Sequence, residues 1–250
     1  MKHRSKILVT IFLLVFSFGI FAGAAVFAQG TKENQDYMSF SGRHAPNWKL
    51  RATKPLIIGG YGDNFAYSGK NVRLIEGSAV VDVNTKKNTG SMEVTFNGTI
   101  TPEKGKTYTG EIKIVYNMFM EGPPYWEGGV ADFVYLHGDT KQEAPVMPKI
   151  KTYLASWGPA DIYVNGELVY KGLAGHMMYT ERSRDVNTYA IYNRDKSGFY
   201  SPKDPSNFSI ANPDKRELHF VAHTTEGDKG NFPPHTVWIH LNFTDVQDVS

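Results

Sequence analysis

The 250-residue chain contains no cysteine. It therefore has no disulfide framework and no thiol nucleophile. Cysteine-ligated zinc, iron–sulfur and blue-copper centres are excluded for the same reason, and so is a lipoprotein anchor. The stability of the folded chain must come from the packing of its core.

The sequence also has little excess of charge of either sign. Its formal net charge is +2, and only 21% of its residues are charged. A nucleic-acid-binding protein, or one held on an anionic lipid surface, would show a strong basic excess. We therefore expect no nucleic-acid partner and no electrostatic attachment to a membrane.

The one long apolar run is at the N terminus. Three basic residues among the first six precede an apolar stretch, residues 7–27, which ends in small side chains. This order is typical of a secretory signal peptide, residues 1–28, with cleavage after Ala28. An uncleaved membrane anchor is the alternative, because about 20 apolar residues can span a bilayer. We predict a secreted or periplasmic protein that is free of the membrane after cleavage.

The rest of the chain is rich in signals for strands and turns and poor in signals for helices. Its apolar runs are short and alternate with polar residues, as between Thr107 and Met120. Asn165-Gly166, between two such runs, is typical of a type I′ hairpin turn. About ten strands with Gly and Pro between them predict an all-β fold, an antiparallel β-sandwich or jelly roll. We expect a flexible leader over residues 29–47, a single domain over 48–250 and a long surface loop over 193–215.

The last two strands, residues 218–225 and 235–244, contain the most suggestive side chains. Their apolar alternation determines which residues face the core and leaves His219, Trp238 and His240 on the opposite face. The simplest antiparallel pairing places Leu218 beside Leu241. It also places His219 directly across from His240.

Two imidazoles across a β-ladder are spaced to ligate one metal ion, copper or zinc. A third ligand would come from another strand, and His176 and His137 are the candidates. His176 shares its predicted face with Met178, and imidazole with thioether suits Cu(I) when cysteine is absent. This hypothesis makes the chain a metal-binding protein or a metal-dependent enzyme.

Two other interpretations use the same strands. In the first, Trp238 stacks on a glycan or aromatic small molecule while His219 and His240 donate hydrogen bonds, and Tyr125 and Trp126 on a Pro/Gly-rich loop add to the surface. The chain is then a non-catalytic binding or accessory protein. In the second, the two histidines form only a solvated or hydrogen-bonded pair across the strands, and the chain is a structural or envelope-interaction protein.

A charged segment, residues 181–185, offers a separate hypothesis. Glu181, Arg182, Arg184 and Asp185 lie close together in the sequence. They would bind an anion, orient a substrate, or form surface ion pairs that contribute little to stability.

Overall fold

The computed structural model of the chain describes residues 39–42, 45–117, 129–225 and 227–250. The signal-peptide prediction, Tyr125 and Trp126 therefore lie outside the described residues. Ten strands account for the regular structure of the described ranges, which include no helix. The strands are β1 (Asn47–Ile58), β2 (Val72–Leu74), β3 (Glu76–Asn84), β4 (Thr89–Glu103), β5 (Lys106–Tyr116), β6 (Val130–Leu136), β7 (Ile150–Val164), β8 (Glu167–Arg182), β9 (Asn212–His223) and β10 (Trp238–Asp248).

The strands pair as an antiparallel meander whose ladder closes on itself. The hydrogen-bonded order is β10-β9-β8-β7-β5-β4-β3-β1-β2, β6 adds to β7, and β1 pairs with β10 as well as with β3. Closure leaves β1 and β10 without a free edge along their paired residues. The predicted all-β antiparallel class is confirmed. The finer prediction of a sandwich or jelly roll is not confirmed, because the ten strands form one sheet in which most sequence neighbours pair.

Alternation of side chains explains the core inside this ring. On β5, for example, Ile112, Ile114 and Tyr116 are buried, whereas Glu111 is exposed. The inward-facing residues of β1, β3, β4, β5 and β7–β10 form one cluster that includes Phe96, Phe220 and Phe243. Each Å2 of apolar surface that is removed from water contributes about 25 cal/mol to the free energy of folding. This cluster is therefore the main source of stability in a chain without disulfides.

The ring is also covered on part of its outside. Residues of β6–β10 form a second apolar cluster with Phe65, Met147 and other side chains from the connections around them. Tyr200, within the predicted surface loop, is almost fully buried and donates a hydrogen bond to the carbonyl oxygen of Met147 (2.7 Å). The long connection between β8 and β9 is therefore partly a cover over the sheet.

The segment before β1 contacts the fold where it is described. The backbone N–H of Phe40 donates to the carbonyl oxygen of Phe133 (3.0 Å), and the Phe40 ring packs against Tyr135 and Tyr153. Residues 39–42 of the predicted flexible leader are thus attached to β6. Over the described ranges, no helix has the length and apolar character needed to cross a membrane.

Candidate functional site

A layer of polar side chains lies between the ring and its cover. At alternating positions along the adjacent strands β8, β9 and β10, outward-facing residues include three histidines of the layer and several other hydrogen-bonding groups, and His137 packs onto them from the end of β6. We call this set the histidine layer: His137, His176, Met178, Glu217, His219, His240 and Asn242. Each of its members is buried.

Strand register sets the arrangement of the layer. Met178, His219 and Asn242 are aligned across β8, β9 and β10. In the next aligned row, His176 and His240 lie on either side of Val221. Aligned neighbours on one face have Cβ atoms about 4.5–5.5 Å apart, so the layer is compact.

The predicted register of the last two strands is wrong by two residues, although the predicted faces are correct. Leu218 pairs with Phe243 rather than Leu241, and His219 pairs with Asn242 rather than His240. A slip of two residues keeps every side chain on its face. His219 and His240 are therefore diagonal neighbours, and Nδ1 of His219 lies 3.3 Å from Nε2 of His240.

Glu217 holds this pair in place. Its Oε1 atom accepts hydrogen bonds from Nε2 of His219 (2.6 Å), the Ser183 hydroxyl (2.6 Å) and the Ser183 backbone N–H (2.8 Å). Burial raises the pKa of Glu217, but His219 and the Ser183 bonds outweigh it and lower the pKa to about 2. The carboxylate is therefore charged at neutral pH. The predicted hydrogen-bonded histidine pair is present, as part of a longer chain of groups.

His137 presents an unprotonated nitrogen to the layer. Its Nδ1 lies 2.7 Å from the carbonyl oxygen of Ala144. Because a carbonyl only accepts, the ring hydrogen is on Nδ1. Burial lowers the pKa of His137 to about 4, so the ring is neutral at pH 7 and its Nε2 has no hydrogen.

That Nε2 atom lies 3.3 Å from Sδ of Met178. A thioether sulfur has no hydrogen to donate, and neither has this nitrogen, so the contact is not a hydrogen bond. Instead, two atoms that each carry a lone pair and no hydrogen lie next to each other in a buried position. Imidazole nitrogen and thioether sulfur are ligands of soft metal ions.

His176 has the same internal arrangement as His137. Its Nδ1 donates to the carbonyl oxygen of Ser156 (3.1 Å), and its ring stacks on Trp157 at 4.8 Å. Burial, with a smaller effect of His137, lowers the pKa of His176 to about 3. Its Nε2 is therefore unprotonated, and it has no partner among the described residues. A backbone carbonyl on one nitrogen and a lone pair on the other is the arrangement of metal-ligating histidines.

The four predicted metal ligands thus fall into two groups. His137 and His176 lie with ring centroids 6.1 Å apart beside Met178, whereas His219 is bonded to Glu217 and His240 contacts His219. In the described ranges, no group of three or more His, Cys, Asp or Glu side chains is arranged to hold a metal ion. A set of two histidines and one methionine is a different kind of site, since its third ligand is a thioether.

Several other polar atoms of the layer are unsatisfied. Nδ1 of His240, Oε2 of Glu217 and Oδ1 of Asn242 are buried and make no hydrogen bond within the described part of the chain. An unpaired buried polar group costs about 1–3 kcal/mol, so most native proteins contain few. Their concentration here marks the layer as more than core packing.

Trp238 is part of a different arrangement from the exposed platform expected for a glycan. Its ring stacks with His235 (5.3 Å) and His223 (5.4 Å), and Phe65 packs against it at 5.4 Å. Only 5% of Trp238 is exposed. Trp238, His219 and His240 therefore contact other protein groups rather than solvent.

Comparison with known proteins gives no matching family model, no matching curated protein and no matching solved structure. The interpretation of the site therefore depends on its own chemistry.

Sequence reasoning missed Glu217, and it placed Met178 beside His176 but not beside His137. Glu217 precedes His219 by two residues, and this spacing places both on one face of a strand. That signal was available in the sequence. The contact of Met178 with His137 was not, because it depends on how the β6–β7 connection folds.

Proposed function

We propose that this protein is an exported, non-catalytic binding protein whose ligand is Cu(I), held by His137, His176 and Met178. The approach of His137 Nε2 to Met178 Sδ, 3.3 Å between two atoms without hydrogens, supports this proposal most strongly. A soft cation between the two would replace an unfavourable lone-pair contact by two coordinate bonds.

The choice of metal follows from the ligands. A thioether is a soft ligand that favours Cu(I), whereas structural zinc sites use thiolate, imidazole or carboxylate. All three proposed ligands are uncharged and buried, which favours a monovalent ion over a divalent one. The nearby Glu217 carboxylate is already bonded to His219 and Ser183.

His219 and His240 have a supporting role in this proposal. His219 lies across the ladder from Met178, and Glu217 fixes its ring. Outer groups that orient the ligands of a metal site commonly change its affinity 10–100-fold when they are altered. We expect the pair to position Met178 rather than to ligate the ion.

The test is a Cu(I) titration of the mature protein against a chromogenic Cu(I) chelator. The chain offers a matched pair of variants, because Met178 faces the layer and Met177 faces the interior core. We expect one Cu(I) per chain and a loss of at least about tenfold in affinity, ~1.4 kcal/mol, in Met178→Leu. Met177→Leu should bind as the wild type does.

Two results would contradict the proposal. One is a wild-type protein that takes up no Cu(I), and the other is equal affinity in the two methionine variants. Zinc bound in place of copper, with the same affinity in Met178→Leu, would assign a different metal and different ligands.

The proposal includes export and a sandwich-like shape. Export is supported by the basic and apolar order of residues 1–28. A flattened ring, with opposite sides packed face to face, is supported by contacts between β4 and β10 across the interior. N-terminal sequencing of the exported protein tests the first part, and we expect it to begin at Gln29.

A further inference from the structure

A cavity lies at the junction where β8 ends and β9 begins. Its volume is about 210 Å3. Two chain segments line it, one with Arg182, Arg184 and Asp185 and the other with Asn212 and Lys215. None of these residues belongs to the proposed copper site.

The lining is strongly cationic. Its only carboxylate, Asp185, accepts hydrogen bonds from the backbone N–H groups of Asn187 (2.9 Å) and Thr188 (2.8 Å) and from the Thr188 hydroxyl (2.9 Å). The ion pairs found within the described residues include neither arginine nor Lys215. Three cationic side chains therefore line the cavity without a carboxylate paired to any of them.

Arg184 is built into the protein rather than extended from its surface. It is only 1% exposed, and its guanidinium donates to the carbonyl oxygens of Ala66 (2.9 Å), Tyr189 (2.8 Å) and Phe65. These carbonyl oxygens are neutral, so they accept hydrogen bonds from the guanidinium group without neutralising its positive charge. Burial lowers the pKa of Arg184 to about 10, which leaves it charged at neutral pH.

Both arginines also have a free donor. The Nε atoms of Arg182 and Arg184 are buried and have no acceptor among the residues described. Leaving such donors unpaired is costly. Glu217 and Asp63 balance part of the Arg184 charge, but neither accepts a hydrogen bond from its guanidinium group. An anion in the cavity would offer the unpaired donors an acceptor.

We propose that this cavity binds a small oxyanion, in the form of a phosphate or carboxylate group. Guanidinium groups bind these planar or tetrahedral oxyanions through paired, charge-assisted hydrogen bonds, and an ammonium group adds a point charge. The volume is below the 300–1,000 Å3 typical of drug-sized ligands, which limits the ligand to a small acid or a phosphate ester. The site is independent of copper.

The test is isothermal titration calorimetry of the mature protein at low ionic strength with four probes. Inorganic phosphate, glucose 6-phosphate and glucuronate present the oxyanion in different forms, and glucose is the neutral control. We expect one site per chain for at least one anion and no binding of glucose. The ranking of the three anions distinguishes free phosphate from a phosphorylated or carboxylated small molecule.

Substitutions in the lining of the cavity test whether the anion binds there. We expect Lys215→Ala and Arg182→Gln each to weaken binding about tenfold or more, because each removes a cation from the lining. Lys203→Ala removes an exposed lysine outside the cavity, and Met178→Leu alters the copper ligands; both should bind as the wild type does. Failure of all three anions to bind, or unchanged binding in both Lys215→Ala and Arg182→Gln, would overturn the proposal.

Discussion

Nε2 of His219 lies 2.6 Å from Oε1 of Glu217, and both side chains are almost completely buried. The same oxygen accepts two further hydrogen bonds from Ser183. A charged acceptor with three donors is among the stronger local interactions that a protein makes. It joins β9 to the start of the β8–β9 connection and holds the ring of His219 in its position within the histidine layer.

Loss of this carboxylate should destabilise the protein. Glu217→Gln keeps the size of the side chain but removes its charge, and we expect a loss of about 2–4 kcal/mol in the free energy of unfolding, since hydrogen bonds to buried charged groups are involved. Urea denaturation measures this loss. Glu93→Gln, which breaks an exposed ion pair with Lys113, is the control and should change stability by less than about 1 kcal/mol. Equal effects of the two substitutions would refute the role given to Glu217.

The buried histidines should make the metal-free protein sensitive to acid. Burial lowers the pKa of His137 to about 4 and of His176 to about 3, whereas the unfolded chain titrates near 6.5. Below pH 6.5 the unfolded state takes up protons that the folded state does not, so stability falls as the pH drops toward 4. Each unit of pKa difference contributes about 1.4 kcal/mol per group.

Glu217 adds a second, lower window of acid sensitivity. Its folded pKa of about 2 lies below the unfolded value of 4.5, so its stabilisation is complete above pH 4.5 and disappears as the pH falls toward 2. Urea titrations at pH 7, 5.5 and 4.5 test mainly the histidine window, because Glu217 loses most of its stabilisation at lower pH. Equal stability at pH 7 and pH 4.5 would contradict the neutral, buried state of the rings.

Phe65 is part of the cover over the histidine layer. Its ring packs 5.2 Å from His240 and 5.4 Å from Trp238, and it is 3% exposed. Phe65→Ala should cost about 3–5 kcal/mol and should shift Trp fluorescence to longer wavelength as water reaches Trp238. Phe199→Ala, at an exposed ring, should change neither quantity appreciably. An unshifted emission spectrum in Phe65→Ala would show that Phe65 does not shield the layer.

The hairpin between β7 and β8 provides a test of backbone conformation. Gly166 has a φ of +83°, and no atom lies within 4 Å of where a Cβ would be. Gly166→Ala should therefore cost about 1–2 kcal/mol through strain alone. Gly198→Ala, at a position without positive φ and with only ordinary contact, should change the unfolding free energy by less than about 0.5 kcal/mol. A neutral Gly166→Ala would contradict the left-handed turn.

Short-range rules predicted much of the strand pattern. Asn165-Gly166 predicts the turn, and Val164 pairs with Glu167 as expected. Farther from the turn, a bulge pairs Ile162 with Tyr170 rather than with Val169, its partner in an uninterrupted hairpin with this two-residue turn. The alternation rule likewise predicts the faces of His219 and His240 but not their register, because a shift of two residues buries the same apolar set.

The contacts that matter for the candidate site are long-range. His137 and Met178 are 41 residues apart in sequence, and they meet because β6 and β8 both flank β7. Polar outward positions such as His219 predict a solvated face. That face is buried instead, because connections around Phe65 and Tyr200 fold over it. The alternation of apolar and polar residues within a strand gives no information about how a distant loop packs against it.

X-ray absorption spectroscopy at the copper edge, on mature protein loaded with one equivalent of Cu(I), tests the central claim most directly. A site made of His137, His176 and Met178 predicts a first shell with two imidazole nitrogens and one sulfur, and Met178→Leu should remove the sulfur while Met177→Leu retains it. A wild-type spectrum that contains only nitrogen or oxygen ligands would contradict the account.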